Sequence, residues 1–141
     1  MTAFLLDVNV LVAMSWPGHR SHETALRWFA DNNKKGWATC PMVQTGFVRI
    51  VSNPAFSPRA VSPKQAIDAL YISIQSPTHQ FWADDISVSD VQRIVNGRIA
   101  GHQQVSDAYL VALAVQHGGR LATLDRSIAQ WGPSDAVEEV F

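Results

Sequence analysis

An α/β sandwich built on a mainly parallel sheet is the fold class this sequence predicts, and three observations carry that prediction. Short apolar runs suited to buried strands alternate with longer stretches whose apolar residues recur at helical spacing. Capping and turn residues mark nearly every junction between them. No repeat, low-complexity tract or linker interrupts the 141 residues, so one domain over residues 1–141 with one core is expected.

Taken in order, Ala3 to Leu6 is an apolar run that suits a buried strand ending at Asp7, and Asn9 to Met14 suits a short helix. Trp16, Pro17 and Gly18 mark a loop. From Ser21 to about Asn32, Ala25, Leu26, Trp28 and Phe29 share one helical face, with Ser21 or His22 near the start. Lys34, Lys35 and Gly36 close that helix, and Trp37 to Cys40 forms a second strand. Pro41 fits a first helical position, followed by Met42, Val43, Phe47, Ile50 and Val51 at helical spacing until Asn53-Pro54 stops them. Ala55 to Arg59 is a loop. Ser62-Pro63 opens a helix with Ala66, Ala69, Leu70 and Ile74 inward, and Gln80 to Ala83 is a third strand.

Residues 84–104 are mixed, with a helix around Ser89 to Ile94 and then a polar loop holding Gly97, Gly101 and His102. The clearest helix comes next. Ser106 is placed to cap it, Tyr109, Leu110, Leu113 and Ala114 form its apolar face, and His117-Gly118-Gly119 ends it. Arg120 to Leu124 is a strand that leads into Asp125. A short helix around Ser127 to Trp131 and an edge strand over Ala136 to Val140 complete the chain.

The composition, 47% hydrophobic and 16% charged, is that of a folded globular chain rather than a disordered one. Cys40 is the single cysteine, so no internal disulfide forms, and no Cys/His spacing reads as a zinc site. A net charge of −1 excludes a bulk electrostatic grip on nucleic acid; any such contact needs a local basic patch. The apolar stretch Ala3 to Met14 is too short for a membrane span, is broken by Asp7 and Asn9, and lacks the features of a signal peptide. A cytoplasmic protein without membrane association is the expectation.

Three aspartates stand out. Asp7 and Asp125 directly follow apolar strands, in LLDVN and LATLDR, and parallel sheets gather their functional groups at the carboxyl ends of strands. Asp107 lies in the first turn of the late helix, where the helix dipole favours an anion. Two carboxylates about 4 Å apart repel by roughly 4 kcal/mol at an effective dielectric of about 20. A convergent trio therefore calls for a cation, and hard oxygen ligands without Cys or His point to Mg²⁺ or Mn²⁺. Such a centre lowers the pKa of a bound water and stabilises charge on a phosphoryl group, which suits phosphodiester hydrolysis. Taken singly, each aspartate also reads as a turn or cap residue.

The segments LLDVNVLVA, ATCPMVQTGFVRIVSNP and VSDAYLVALAVQHGGRLATLDR, in that order, resemble the PIN-domain ribonucleases, and more narrowly the VapC toxins of type II toxin–antitoxin pairs. The resemblance covers nearly the whole chain. It implies a PIN-like three-layer sandwich and a Mg²⁺- or Mn²⁺-dependent endoribonuclease that cuts RNA, is restrained by a VapB-like antitoxin and is a homodimer. Carried over residue by residue, it makes Asp7, Asp107 and Asp125 the metal-binding and catalytic acids, with Asn9 and Ser106 as polar support. Many PIN nucleases place a glutamate where this chain has Gln44, whose amide oxygen still ligates or orients but carries no charge. Asp84 and Asp85 are alternative sources of that charge.

Arg49, one turn beyond Gln44, is a candidate phosphate contact, with a surface salt bridge as the competing reading. Arg93 and Arg98 are candidates for an RNA-facing rim, and His102 for a loop contact. His19 and His22 have a spacing that ligands use on a helix, though solvent-facing residues at a helix start have it too. The five tryptophans, Trp16, Trp28, Trp37, Trp82 and Trp131, read as core or interface, with an antitoxin segment expected near Trp16 and Trp28. Two rival functions are an aspartyl-phosphate protein, disfavoured because Val8 and Asn9 occupy the places of its second acid, and a PIN-like binding module without nuclease activity, suggested by Gln44.

Overall fold

A computed structural model describes residues 2–141. Five strands form one sheet, β1 (Phe4–Leu6), β2 (Trp37–Thr39), β3 (His79–Phe81), β4 (Arg120–Thr123) and β5 (Val137–Glu139), in the order β3-β2-β1-β4-β5. Every pairing is parallel, with Phe4 opposite both Trp37 and Arg120 in the central registers. The sheet is thus parallel throughout rather than mainly so.

Seven helices connect the strands: α1 (Val8–Ser15), α2 (His22–Asn32), α3 (Pro41–Val51), α4 (Pro63–Ser73), α5 (Val91–Ile94), α6 (Val105–Gln116) and α7 (Arg126–Trp131). From β1 the chain moves outward to β2 and β3, then returns across the sheet to β4 and β5. Right-handed crossovers therefore put α1–α4 on one face and α5–α7 on the other, which gives three layers. Accordingly α1 packs on α2 and α3, and α3 on α4, while α6 packs on α5 and β4. The order reverses between β1 and β4, and this switch point is where open parallel sheets place their ligands.

Local sequence accounts for the elements. Leu5, Leu6, Ala38, Leu121 and Ala122 are fully buried, as strands covered on both faces require. Ser62 and Gln65 form a reciprocal capping box at α4, followed by Pro63 at the first helical position. Gly118, with φ of 70°, supplies the left-handed residue just after α6.

Several expectations shift. α6 begins at Val105, directly after a 3₁₀ turn over His102–Gln104, so Gln104 holds the cap position and Ser106 is the helix's second residue. The expected helix at Ser89 to Ile94 is a 3₁₀ turn, Val88–Asp90, running into the single turn of α5. β3 starts one residue earlier than Gln80, and Ala83 lies outside it. Leu26 and Ala69 face solvent, because α2 and α4 bury narrower stripes centred on Ala25 and on Ala66 with Leu70. No helix among the described residues is long and apolar enough to cross a membrane.

Candidate metal centre

Asp7 leaves β1 at the switch point and serves as the N-cap of α1. One carboxylate oxygen, Oδ1, accepts from the Val8 N–H at 2.7 Å, and the other accepts from the Thr123 hydroxyl at 2.8 Å. Its own N–H donates to the Ala122 carbonyl at 2.9 Å, so the residue is clamped to β4. Only 6% of it is exposed. Burial is the main reason its carboxyl is pushed up to about 6, and the charges of Asp107 and Asp125 push the same way against the bonds from Thr123 and Val8.

Asp125 follows β4 after one intervening residue, Leu124, and is the N-cap of α7. Its Oδ1 accepts from both the Ser127 N–H at 2.8 Å and the Ser127 hydroxyl at 2.7 Å. The cap reading is therefore met, and it leaves the second oxygen without a hydrogen bond among the described residues. Asp107, third residue of α6, makes no hydrogen bond or ion pair there. Burial first, and then the Asp125 charge, raise its carboxyl above the ordinary value. All three aspartates thus sit at helix N-termini, with Asp7 feeling the charges of the other two and Asp107 that of Asp125.

Thr123 joins them, and sequence reasoning passed over it. Its fully buried hydroxyl donates to Asp7, accepts from the Asp125 N–H at 3.0 Å and faces the Asn9 amide at 3.4 Å. Asn9 also accepts from the Leu124 N–H at 3.2 Å, so it ties α1 to the end of β4. The available signal was a hydroxyl residue two places before Asp125 in an otherwise apolar strand.

A cleft of about 470 Å³ opens beside these groups, lined by Asp7, Asp107 and Ser106 on one side and by Met42, Gly46 and Arg49 of α3 on the other. Gly46 permits the close approach of its wall: a Cβ there would come within 2.8 Å of the Val8 side chain. Arg49 is exposed and has no acidic partner among the described residues, which removes the salt-bridge alternative.

Gln44 is not on this wall. At about 100° per residue it lies roughly opposite Met42 around α3, and its amide donates to the Thr39 hydroxyl at 3.0 Å. Asp84 accepts from the Met42 N–H at 3.2 Å, and Asp85 pairs with His117 at 3.2 Å, so both are engaged away from the trio. His19 accepts from the Ser21 N–H and the His22 ring meets the Ala13 carbonyl; both are committed locally. Arg93 pairs loosely with Asp90 at 3.9 Å, and Arg98 donates to the Trp131 carbonyl at 3.3 Å.

The donor set is the chemistry a hard divalent cation takes: carboxylate oxygens, two of them on acids whose ionised form is disfavoured by burial and by like charge. No three His, Cys, Asp or Glu side chains among the described residues lie close enough to enclose an ion by themselves. The set therefore suits an ion that keeps several of its own waters, as Mg²⁺ does.

Known proteins resemble this chain in sequence and in fold. Residues 4–132 fit the PIN domain family. The chain is 40% identical to ribonuclease VapC39 of Mycobacterium tuberculosis over 98% of its length and 99% of the relative's. It is 44% identical to ribonuclease VapC44 of the same organism, with 89% of this chain and 87% of that one covered. Its fold is similar to VapBC2 from Rickettsia felis, solved bound to a promoter DNA fragment, with a TM-score of 0.65 and 15% identity over 98% of both chains. FitAcB from Neisseria gonorrhoeae has a TM-score of 0.62 and 18% identity over 97% of both. A parallel five-stranded sheet with acids at its switch point and near-full-length identity of this order have one reading: the chain is a PIN domain and belongs to the VapC ribonuclease family.

Proposed function

We propose that this chain is a divalent-cation-dependent endoribonuclease and the toxin of a VapBC-type toxin–antitoxin pair, hydrolysing phosphodiester bonds in RNA. The observation that carries the reading is that Asp7, buried at the sheet's switch point, feels the charges of both Asp107 and Asp125. The ribonuclease names of its relatives favour an enzyme over a binding module. Asp7, Asp107 and Asp125 would hold Mg²⁺ or Mn²⁺, which when bound activates a water and stabilises charge on the phosphoryl oxygens.

The protein's own groups set the stage for that chemistry. Thr123 and Val8 hold both Asp7 oxygens in place, and Asn9 fixes α1 against β4. Asp107 brings a carboxylate uncommitted to the fold, at the dipole-favoured end of α6. Arg49 lines the same cleft and would supply a charge-assisted contact for an RNA phosphate. Alanine at Asp7 and at Asp107 should each abolish RNA cleavage and weaken Mn²⁺ binding by calorimetry; unchanged cleavage and binding in both would end the proposal.

A location for the antitoxin segment is part of this proposal. A cleft of about 600 Å³ at the end of α1 is lined by Trp16, Pro17, His19, Phe56, Pro58 and Arg59, with Trp16 and Phe56 edge to face at 5.1 Å. Trp28, by contrast, packs on Phe4 and bonds Glu138, so it is partly committed to the fold. For the homodimer, Ile67, Tyr71 and Ile72 of α4 with Phe81 of edge strand β3 are the large exposed apolar residues suited to an interface. Hydrogen-exchange protection at Trp16 and Phe56 on adding the cognate antitoxin, and a dimer mass lost in Ile72→Asp, would support these two placements; no protection and an unchanged mass would remove them.

A further inference from the structure

The polar cluster around Thr39 lies apart from the aspartates, and Thr39 itself is as buried as Thr123. Thr39 ends β2, and its side chain is fully buried. Gln44 donates to its hydroxyl oxygen from Nε2 at 3.0 Å, and Nε2 of His79 lies 2.8 Å from the same oxygen. His79 opens β3 beside Trp37, packed edge to face at 4.6 Å, and is half-buried.

Proton counting gives this cluster a direction. The Gln44 nitrogen only donates, so the Thr39 oxygen accepts from it. That oxygen has a second lone pair, but the buried Thr39 hydrogen has no other acceptor among the described residues, and the arrangement that satisfies it sends the hydrogen to His79. The nitrogen facing Thr39 must then carry no proton. His79 is consequently neutral, with its proton on Nδ1, where the Ile74 carbonyl at the end of α4 is the partner. The groups facing His79 are Trp37 and Thr39 of β2 and that carbonyl. No charged side chain pairs with it among the described residues, and burial keeps its pKa below the ordinary value.

We propose that Gln44, Thr39 and His79 form a one-way hydrogen-bond chain that fixes the first turns of α3 on β2 and β3, so that Thr39 and His79 are positioning residues for the Arg49 wall of the cleft. The inference rests on the endoribonuclease reading. It explains why an amide stands at position 44: α3 starts two residues after Thr39, and a donor there clamps its first turn to the sheet. A glutamate at 44 would reverse the chain. It accepts only, so the Thr39 hydrogen would turn to it and leave the His79 ring nitrogen facing a lone pair. His79 would then take a proton on Nε2, and the added carboxylate charge favours its keeping the Nδ1 proton as well.

Nitrogen NMR of the histidine rings in the full-length protein tests the chain directly. In the wild type, His79 should be neutral with its proton on Nδ1 and should titrate below the ordinary histidine value. In Gln44→Glu its midpoint should rise above that of the wild type. A proton on Nε2 in the wild type, or an unmoved midpoint in Gln44→Glu, overturns the chain. Steady-state RNA cleavage tests the positioning role. Thr39→Val should raise KM roughly tenfold with little change in kcat, and Thr39→Ser should restore it. An equal fall in kcat, or no rescue by serine, overturns that role. Should Thr39→Val fail to fold, Gln44→Glu gives the same kinetic reading. Wild type that cleaves no RNA refutes the nuclease reading and the positioning role with it, while the NMR result still decides the chain.

Discussion

Thr123 donates its buried hydroxyl to Asp7 at 2.8 Å, across 116 residues of sequence. That bond lowers the Asp7 pKa against the larger effect of burial. Thr123→Val keeps the shape and removes the donor, so Asp7 should ionise only at higher pH. The acidic limb of the cleavage pH profile should move to higher pH in this variant, while Thr123→Ser stays near the wild type. A profile that does not move would mean that Asp7 ionisation does not limit the rate.

The same carboxyl makes stability depend on pH. Folding raises Asp7 from 3.8 to about 6, so the folded state holds this proton more tightly than the unfolded one. Its contribution is full below pH 3.8 and is lost as pH rises through about 6, a penalty on the order of 3 kcal/mol at neutral pH. Asp7→Asn should therefore melt several degrees higher than the wild type at pH 7.5, with the difference vanishing near pH 4. Mn²⁺ should raise the wild-type Tm and leave that of Asp7→Asn nearly unchanged. Thermal scans with and without metal check both.

Asp125 has two roles that substitution can separate. Asparagine preserves the cap on α7 and removes the charge, whereas alanine removes both. Asp125→Asn should keep wild-type stability and lose cleavage; Asp125→Ala should lose cleavage and about 1 kcal/mol as well. Urea denaturation beside an RNA cleavage assay distinguishes them, and full activity in Asp125→Asn would show that the residue is only a cap.

Gly119 precedes β4 and lies close against Ala3, the residue before β1. A Cβ there would lie 2.5 Å from the Ala3 carbonyl oxygen and 2.7 Å from the Trp82 ring, so backbone as well as side chain must move. Gly119→Ala should cost about 2 kcal/mol. Gly101→Ala, with nothing within 4 Å of its Cβ, should be near neutral. Denaturant midpoints of the two decide the matter.

What the sequence made legible follows from periodicity and from strand ends. Asp7 and Asp125 were found because a charge after an apolar strand is a local pattern, and the strands themselves were found by apolar runs. Ser106 was misplaced as a cap because a 3₁₀ turn runs into α6 without a break, and no local residue marks that junction. Gln44 could be assigned to a helix but not to a face, since the rotation of α3 is set by Val43, Phe47 and Val51 packing inward. Thr123 and Thr39 stayed hidden for a related reason: a buried hydroxyl gains its role from partners on other strands and helices.

The parallel order of the sheet also imposes a schedule. β1 has β4 as one of its two neighbours, yet β4 is made more than a hundred residues later. Until Arg120–Thr123 has emerged and threaded beside Phe4–Leu6, Asp7 has neither the Thr123 clamp nor the company of Asp125. A nascent chain that lacks β4 therefore has an incomplete aspartate site, which assembles only after Asp125 has been made.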